Sequence, residues 1–361
     1  MRTKLLSILF LSLFAVSSFA DEILRVGVIQ STTGIAAEDG KTVVQALQLA
    51  AKDINEGQAR IELLIEDDAS IPRNTVSSYQ KLKAKGVEVF LAATWDFTAN
   101  SLFPLVGKER KILFNTSIFP EALFLEQSLG YGFANGLTVR GEARSFEKYL
   151  DKNRTKSIAI IYANNTWGEV QRAEYRRVAD SRNLSVLLEQ SSVAFDRNEW
   201  RELLPRLKSL KPDIIALLLN KNDIDVFIRR ATELGLDAKY FASKNLYDAL
   251  RMTKYKRQYE GVCFTYPSLA LKKNKEFFER YSKAFGEEPR INADTSYDGL
   301  WILAKAHRLA SEKGISMKQA LMETQHQGLS HHYIFDSEDS FRVDATSLNC
   351  IKQGEILTLD G

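Results

Sequence analysis

Residues 24–65 read LRVGVIQSTTGIAAEDGKTVVQALQLAAKDINEGQARIELLI and contain one strand–helix–strand unit. The apolar run Leu24–Ile29 predicts a strand. Between Thr42 and Asn55 the apolar residues recur at spacings of three and four, which predicts a helix with one buried face. The next apolar run, Ile61–Ile65, predicts a second strand. Because a helix lies between the two strands, we expect them to be parallel neighbours in one sheet.

The same alternation continues along the chain and starts again after Arg140. Further strands are predicted at Val87–Leu91, Ile112–Phe114, Ile158–Tyr162, Ser185–Glu189 and Ile214–Leu219. Strands separated by crossover helices indicate parallel sheets that are covered on both faces. Two halves of this kind follow each other without a Gly-rich or Pro-rich linker. The sequence therefore predicts two doubly wound parallel α/β lobes with a cleft between them.

Composition and charge exclude several classes of protein. The 361 residues are 45% hydrophobic and 26% charged, which is ordinary for a folded protein. The formal net charge is only +3 and both signs are interspersed, so no nucleic-acid partner is expected. The 2 cysteines are too few for a thiolate metal cage. We expect neither a metal nor a cofactor.

The first 20 residues have the pattern of a cleaved secretory signal peptide. A basic start and the apolar segment Leu5–Val16 precede the small residues Ser18 and Ala20. This segment is shorter than the roughly 20 residues that span a membrane, and no lipid-anchoring cysteine follows it. We expect cleavage after Ala20 and a periplasmic mature protein that is not inserted in the membrane.

No motif predicts a catalytic site. The segment Gly34–Thr42 resembles a phosphate-binding loop, but five residues instead of four separate its glycines. The acids Glu66–Asp68 and the four histidines lack catalytic or metal-ligand spacing, and the G-x-S-x-G motif of serine hydrolases does not occur. We predict that the chain is not an enzyme. An exported hydrolase that uses Asp67, Asp68 or the histidines is the remote alternative.

Polar loops follow four of the predicted strands, at the edge where open α/β sheets bind ligands. The candidate ligand-binding residues in these loops are Trp95, Asp96, Thr98, Thr116, Ser117, Trp167 and Asn220. Ser, Thr, Asn and Asp also cap helices, so helix capping is the alternative role for each loop.

The order of short motifs resembles that of the leucine/isoleucine/valine-type periplasmic binding proteins over nearly all of the mature chain. These motifs are Val26–Ile29, Thr33–Gly34, Ala46–Asn55, Asp67–Asp68, Ile160–Tyr162, Pro212–Asp213, Gly235–Leu236, Glu260–Val262, Ala293–Asp298 and Phe335–Asp336. The resemblance implies three hinge crossings, near Thr138–Gly141, Glu260–Pro267 and Gln327–His332. The two lobes that it implies are residues 21–138 plus 268–330 and residues 139–267 plus 331–361.

Members of this family capture a solute and present it to the membrane permease of an ABC importer. The resemblance thus implies a monomeric, exported solute-binding protein for a small polar ligand of the amino acid, amide or amine class. A periplasmic sensor of the same fold, which signals to a membrane partner, is the alternative.

Two positions depart from the pattern of family members that bind amino acids. The loop that offers a small hydroxyl residue to the ligand carboxylate contains Trp95 and Asp96 here, whereas Thr116 and Ser117 keep the hydroxyl groups of the next loop. No acid lies in Ser243–Asn245, where the family pairs an acid with the ligand ammonium, and Asn245 is the candidate there. A carboxylate between indole rings suits a cationic ligand group, unless Asp96 caps the following helix.

The cysteines are expected in two strands, with Cys263 in Gly261–Thr265 and Cys350 in Leu348–Ile351. In an exported protein, two cysteines without a metal form either a disulfide or a pair of buried free thiols. The sequence leaves both states open.

Overall fold

The computed structural model describes eight ranges of the chain. These are residues 23–57, 59–117, 121–136, 138–193, 199–266, 272–329, 332–335 and 347–359. The predicted signal peptide, residues 1–20, lies outside them. Among the helices described, none combines the length and the apolar character that crossing a membrane requires.

The first sheet is parallel, with strand order β2-β1-β3-β4-β5. Its strands are β1 (Leu24–Gln30), β2 (Ile61–Asp67), β3 (Val89–Ala92), β4 (Ile112–Asn115) and β5 (Gly132–Ala134). The helices between them are α1 (Ala37–Glu56), α2 (Pro72–Ala84), α3 (Asp96–Ala99), α4 (Phe103–Glu109) and α5 (Glu121–Ser128).

The chain then builds the parallel part of a second sheet. Its strands are β6 (Ser157–Ala163), β7 (Ser185–Ser192), β8 (Ile214–Leu218), β9 (Lys239–Ala242) and β10 (Cys263–Tyr266). Its helices are α6 (Val139–Lys152), α7 (Thr166–Ser181), α8 (Glu199–Leu210), α9 (Lys221–Leu234) and α10 (Leu246–Met252), and a 3₁₀ turn covers Lys256–Tyr259.

The remaining elements either pack in the first lobe or complete the second sheet. Helices α11 (Lys272–Phe285), α12 (Ala293–Lys313) and α13 (Met317–Glu323) precede the hairpin of β11 (Gln325–Gln327) and β12 (His332–Ile334). Strands β13 (Ser347–Lys352) and β14 (Glu355–Thr358) then complete the second sheet, whose order is β14-β13-β10-β9-β8-β6-β7. Strand β13 is antiparallel to β10, and β14 is antiparallel to β13.

Each sheet has its own hydrophobic core. In β6, Ile158 and Ile160 face one buried cluster, whereas Ala159 and Ile161 face another. This alternation places a core on both faces of the second sheet, as expected for a parallel sheet covered by helices. All residues of β8 are buried, which explains its continuous apolar sequence. The prediction of two doubly wound, mainly parallel α/β sheets is confirmed.

The chain passes between the two sheets three times. The first passage lies between β5 and α6, and the second follows β10, because Phe277 and Tyr281 of α11 pack in the first core. The third precedes β13, which belongs to the second sheet. Tyr333 and Phe335 pack in the first core. The exact lobe boundaries stay a prediction.

A disulfide links β10 and β13, two neighbouring strands of the second sheet. The chain leaves this sheet after β10 and returns to it with β13. Cys263 of β10 and Cys350 of β13 are directly opposite in the antiparallel register. Their sulfur atoms are bonded, and their Cα atoms are 4.0 Å apart. Of the two states left open by the sequence, the structure contains the disulfide.

Candidate functional site

Segments that follow the carboxyl ends of strands in the two sheets meet where the lobes contact each other, and an ion-pair cluster connects them. Lys221, the first residue of α9, lies 2.9 Å from Asp39 Oδ1 and 3.1 Å from Glu38 Oε2 in the first turn of α1. The helix dipole favours the two acids at the start of α1 but disfavours a lysine at the start of α9. The contact across the cleft explains why Lys221 is nevertheless stable there.

A second connection starts from α10 of the second lobe. Arg251 donates to the carboxylate of Glu288 and to the carbonyl of Pro289, which lie between α11 and α12. In the same connecting segment, Arg290 lies 3.3 Å from Glu38. Charged groups of both lobes therefore alternate in sign along one side of the cleft.

Lys244, which follows β9, is buried where the lobes meet. Its ammonium group donates to Asn292 Oδ1 at 3.0 Å, and its backbone N–H donates to Glu142 Oε2 at 3.3 Å. Burial lowers the pKa of Lys244, although the charges of Glu142 and Asp294 partly oppose the change. The lysine is thus an interior cation surrounded by acids.

Asp248 lies in the first turn of α10 and is only 2% exposed. Neither carboxylate oxygen has a hydrogen-bond partner among the residues that the structure describes. Burial and the charge of Asp39 raise the pKa of Asp248 to about 6, whereas Lys221 and Arg290 act in the opposite direction. The groups that change this pKa come from both lobes, so the carboxylate is at their interface.

The pKa values of two other acids near Lys244 are also raised. Burial raises the pKa of Glu142 to about 7, against the charge of Lys244. Burial and the neighbouring charge of Asp298 raise the pKa of Asp294 to about 6.

Helix α7 presents a row of polar groups toward Glu142 of α6. Trp167, Gln171 and Tyr175 follow one another at a spacing of four residues and are buried. The indole N–H and the phenol oxygen have no hydrogen-bond partner in the described part of the chain, and the side-chain amide of Gln171 lies beside the carboxyl group of Glu142, where it acts to lower the pKa of that acid. Unsatisfied buried polar atoms are rare in folded proteins, and they are often found at functional sites.

Trp95 and Asp96 lie on the first-lobe side of the cleft. Trp95 donates its indole N–H to Asp39 Oδ2 at 2.9 Å, next to the ion pair with Lys221. The backbone N–H groups of Phe97 and Trp167 favour the charged form of Asp96, but burial outweighs them and raises its pKa. Because Trp167 belongs to α7, this effect places Asp96 next to a helix start of the opposite lobe.

The hydroxyl groups predicted in the first lobe have partners within the protein. Thr98 donates to the carbonyl of Trp95 at 2.9 Å, and Thr116 is 2.9 Å from the hydroxyl of Ser296. Ser117 donates to the carbonyl of Thr94 at 3.1 Å and lies 3.4 Å from the amide nitrogen of Asn292. Of the three, Ser117 is the one that contacts the cleft residue Asn292.

The two predicted asparagines also have structural hydrogen bonds. Asn220 caps α9, since its Oδ1 accepts the backbone N–H groups of Asn222 and Asp223. Asn245 donates to the carbonyl of Leu219 at 3.0 Å and so connects the loops after β8 and β9. A ligand role for Thr98, Thr116, Asn220 and Asn245 stays a prediction.

The segment that resembles a phosphate-binding loop has a packing role. Gly40 lies inside α1, and a Cβ atom added to it would be 2.0 Å from the carbonyl oxygen of Ser31. Gly168 has the same relationship in the second lobe, where a Cβ would be 1.9 Å from the carbonyl oxygen of Ala163. In both lobes a glycine therefore allows the helix that follows the first strand of the sheet, α1 after β1 and α7 after β6, to approach the end of that strand. No group of three acids, histidines or cysteines in the described ranges could hold a metal ion.

Comparison with known proteins gives a family and a set of similar folds. A family model described as periplasmic binding protein matches residues 23–347. No curated protein matches the chain. Among solved structures, the chain is similar to an ABC transporter substrate-binding protein from Sphaerobacter thermophilus, with a TM-score of 0.84 and 17% identity over 93% of this chain and 96% of that one.

Two further similar structures contain ligands. One is a solute-binding protein of an ABC transporter from Rhodopseudomonas palustris BisB5 in complex with 3,4-dihydroxybenzoic acid, with a TM-score of 0.80 and 21% identity over 92% of this chain and 95% of that one. The other is a branched-chain amino acid transporter substrate-binding protein from Streptococcus pneumoniae in complex with isoleucine. Its TM-score is 0.78, with 18% identity over 93% of this chain and 98% of that one. At these identities the likeness shows the fold.

Proposed function

The chain belongs to the periplasmic binding protein family, and from that premise we propose that it captures a small polar solute between its lobes and delivers it to the membrane permease of an ABC importer. The observation that carries the proposal is the convergence of charged and unsatisfied polar groups where the carboxyl ends of both sheets meet. In open α/β folds, this edge of the sheet is where ligands bind.

The proposed ligand is of the amino acid, amide or amine class. Buried groups of both signs, represented by Lys244 and Asp248, line the interface, and such groups select ligands that can form hydrogen bonds. The similar proteins with isoleucine and with dihydroxybenzoic acid indicate how different the ligands on this fold are. We propose that the protein binds its solute without changing it chemically.

The proposed location is the periplasm, reached after cleavage between Ala20 and Asp21. N-terminal sequencing of exported protein tests this part of the proposal. A mature chain that begins at Asp21 supports it, and a chain that keeps its leader in the membrane contradicts it. A periplasmic sensor of the same fold stays the alternative, and the presence of permease and ATPase genes beside this gene would favour the importer.

A thermal-shift screen of the mature protein tests solute binding itself. The panel contains amino acids, amides, polyamines and small carboxylates. A ligand at about 100 times its dissociation constant adds roughly 2.7 kcal/mol to the stability of the folded state. At least one compound should therefore raise the melting temperature by several degrees. Failure of every class in the panel would contradict the proposed function.

A further inference from the structure

Asp248 combines deep burial with the absence of any direct partner. Its side chain is on the second lobe, it is only 2% exposed, and neither oxygen accepts a hydrogen bond from the residues described. An ionised carboxylate without a partner is strongly unfavourable in a protein interior, so it is retained only where something else stabilises it.

The cations around Asp248 do not supply that partner. Lys221 is held by Asp39 and Glu38. Arg251 is held by Glu288 and the carbonyl of Pro289, and Arg290 is paired with Glu38. The charges of these cations act on Asp248 through space, whereas the ion pairs and hydrogen bonds described for them go to other groups.

Asp96, the acid that the sequence favours as a cation partner, is in a different environment. It lies at the start of α3 and close to the start of α7, where the backbone N–H groups of Phe97 and Trp167 stabilise its charge. Asp248 lies in the first turn of α10, yet neither of its carboxylate oxygens accepts a hydrogen bond from the described residues. Asp96 Oδ2 also lacks a partner among the described residues, but both oxygens of Asp248 do, so Asp248 is the acid whose charge is less well satisfied.

Resting on the proposed function, we propose that Asp248 is the cation anchor of the cleft and that the ligand carries a protonated amine or an amidine which donates to this carboxylate. This assignment places the cationic end of the ligand against the second lobe, one turn beyond the loop Ser243–Asn245. Such a contact satisfies both oxygens of the acid when the cleft is closed over the ligand.

The test compares the wild-type mature protein with D248N and D96N. The probes are isoamylamine, putrescine and agmatine as cations, isoamyl alcohol as the neutral isostere, and isovalerate and 3,4-dihydroxybenzoate as anions. We expect D96N, which changes the candidate acid of the first lobe, to weaken binding of the best cationic probe much less than D248N does. In D248N the dissociation constant should increase roughly 10- to 150-fold, as expected when a hydrogen bond to a charged group is lost.

Two further measurements separate binding from folding. Ligand-free D248N should melt at or above the temperature of the wild type, because the substitution removes a buried charge that has no partner. In the wild type alone, isoamylamine should bind at least about tenfold more tightly than isoamyl alcohol, and this comparison needs no variant.

The outcomes are distinguishable from failure of the proposed function. If an anionic probe binds best and binds D248N as tightly as the wild type, solute binding stands and the cation anchor is wrong. If D96N loses cation binding and D248N keeps it, the anchor is Asp96 and the inference is also wrong. If no probe of any class binds, both the inference and the proposed function are contradicted.

Discussion

Lys221 Nζ lies 2.9 Å from Asp39 Oδ1, and the two residues begin helices on opposite sides of the cleft. The side chains of the lysine and the aspartate are 15% and 19% exposed, so water screens the pair less than it screens a surface ion pair. The contact joins the two lobes. It therefore sets how readily the cleft opens.

A double-mutant cycle with K221A and D39A should give a coupling energy on the order of 1–2 kcal/mol in urea unfolding. The control is the exposed pair Lys52–Glu56 on α1, for which a coupling below about 0.5 kcal/mol is expected. K221A should also increase the radius of gyration in X-ray scattering, because the lobes separate. Equal coupling in the two pairs would show that the cleft pair does not hold the lobes together.

Glu142 should make stability depend on pH. Its pKa rises from an ordinary value of 4.5 to about 7 in the folded state, so the folded protein holds a proton that the unfolded chain releases. The contribution to stability is complete below about pH 4.5 and is lost as the pH rises through 7. Between pH 5 and pH 7.5, the wild type should therefore lose on the order of 2 kcal/mol more unfolding free energy than E142Q does.

The control for this prediction is E109Q. The hydrogen bonds from Lys83 and Tyr79 lower the pKa of Glu109, so this residue stays ionised between pH 5 and pH 7.5 in both states. E109Q should change the stability equally at the two pH values. A pH dependence in E142Q that equals that of the wild type would contradict the protonation of Glu142.

The disulfide should contribute strongly to stability because its cysteines are 87 residues apart. Cross-linking a loop of this length reduces the entropy of the unfolded chain and typically stabilises a protein by about 2–5 kcal/mol. The double variant C263S/C350S should lose a similar amount in guanidinium unfolding under oxidising conditions. Addition of dithiothreitol should destabilise the wild type but not the variant; an equal response of both would contradict the bond.

Gly40 should not tolerate a side chain. A Cβ at this position would be 2.0 Å from the carbonyl oxygen of Ser31, so α1 must move away from the end of β1. We expect G40A to cost at least about 2 kcal/mol. At Gly57 the nearest atom to an added Cβ is 3.3 Å away, and G57A should change stability by less than about 1 kcal/mol. Equal melting temperatures for G40A and G57A would contradict this close contact.

Much of the fold follows from local pattern, whereas the site does not. The apolar run Ile214–Leu219 predicts a buried strand because a central parallel strand has both faces covered. Asn220 was expected near a ligand from its position after that strand, but the same position makes it the cap of α9.

The charged residues of the cleft could not be predicted because their partners are distant in sequence. Asp39 and Lys221 are 182 positions apart in the sequence. Lys244 contacts Asn292 only because the two lobes pack together. Helical periodicity reports which face of a helix is buried but not which charge that face encounters. The one sequence signal for Lys221 is its unfavourable place at the start of a helix.

The central claim is that a solute binds between the carboxyl ends of the two sheets. The most direct measurement is a crystal structure of the mature protein with the compound that gives the largest thermal shift. The account predicts density for that compound between the lobes, in contact with residues of both and with a donor group within hydrogen-bond distance of Asp248. Density on the outer surface alone, with the Lys221–Asp39 contact intact and no compound between the lobes, would contradict it.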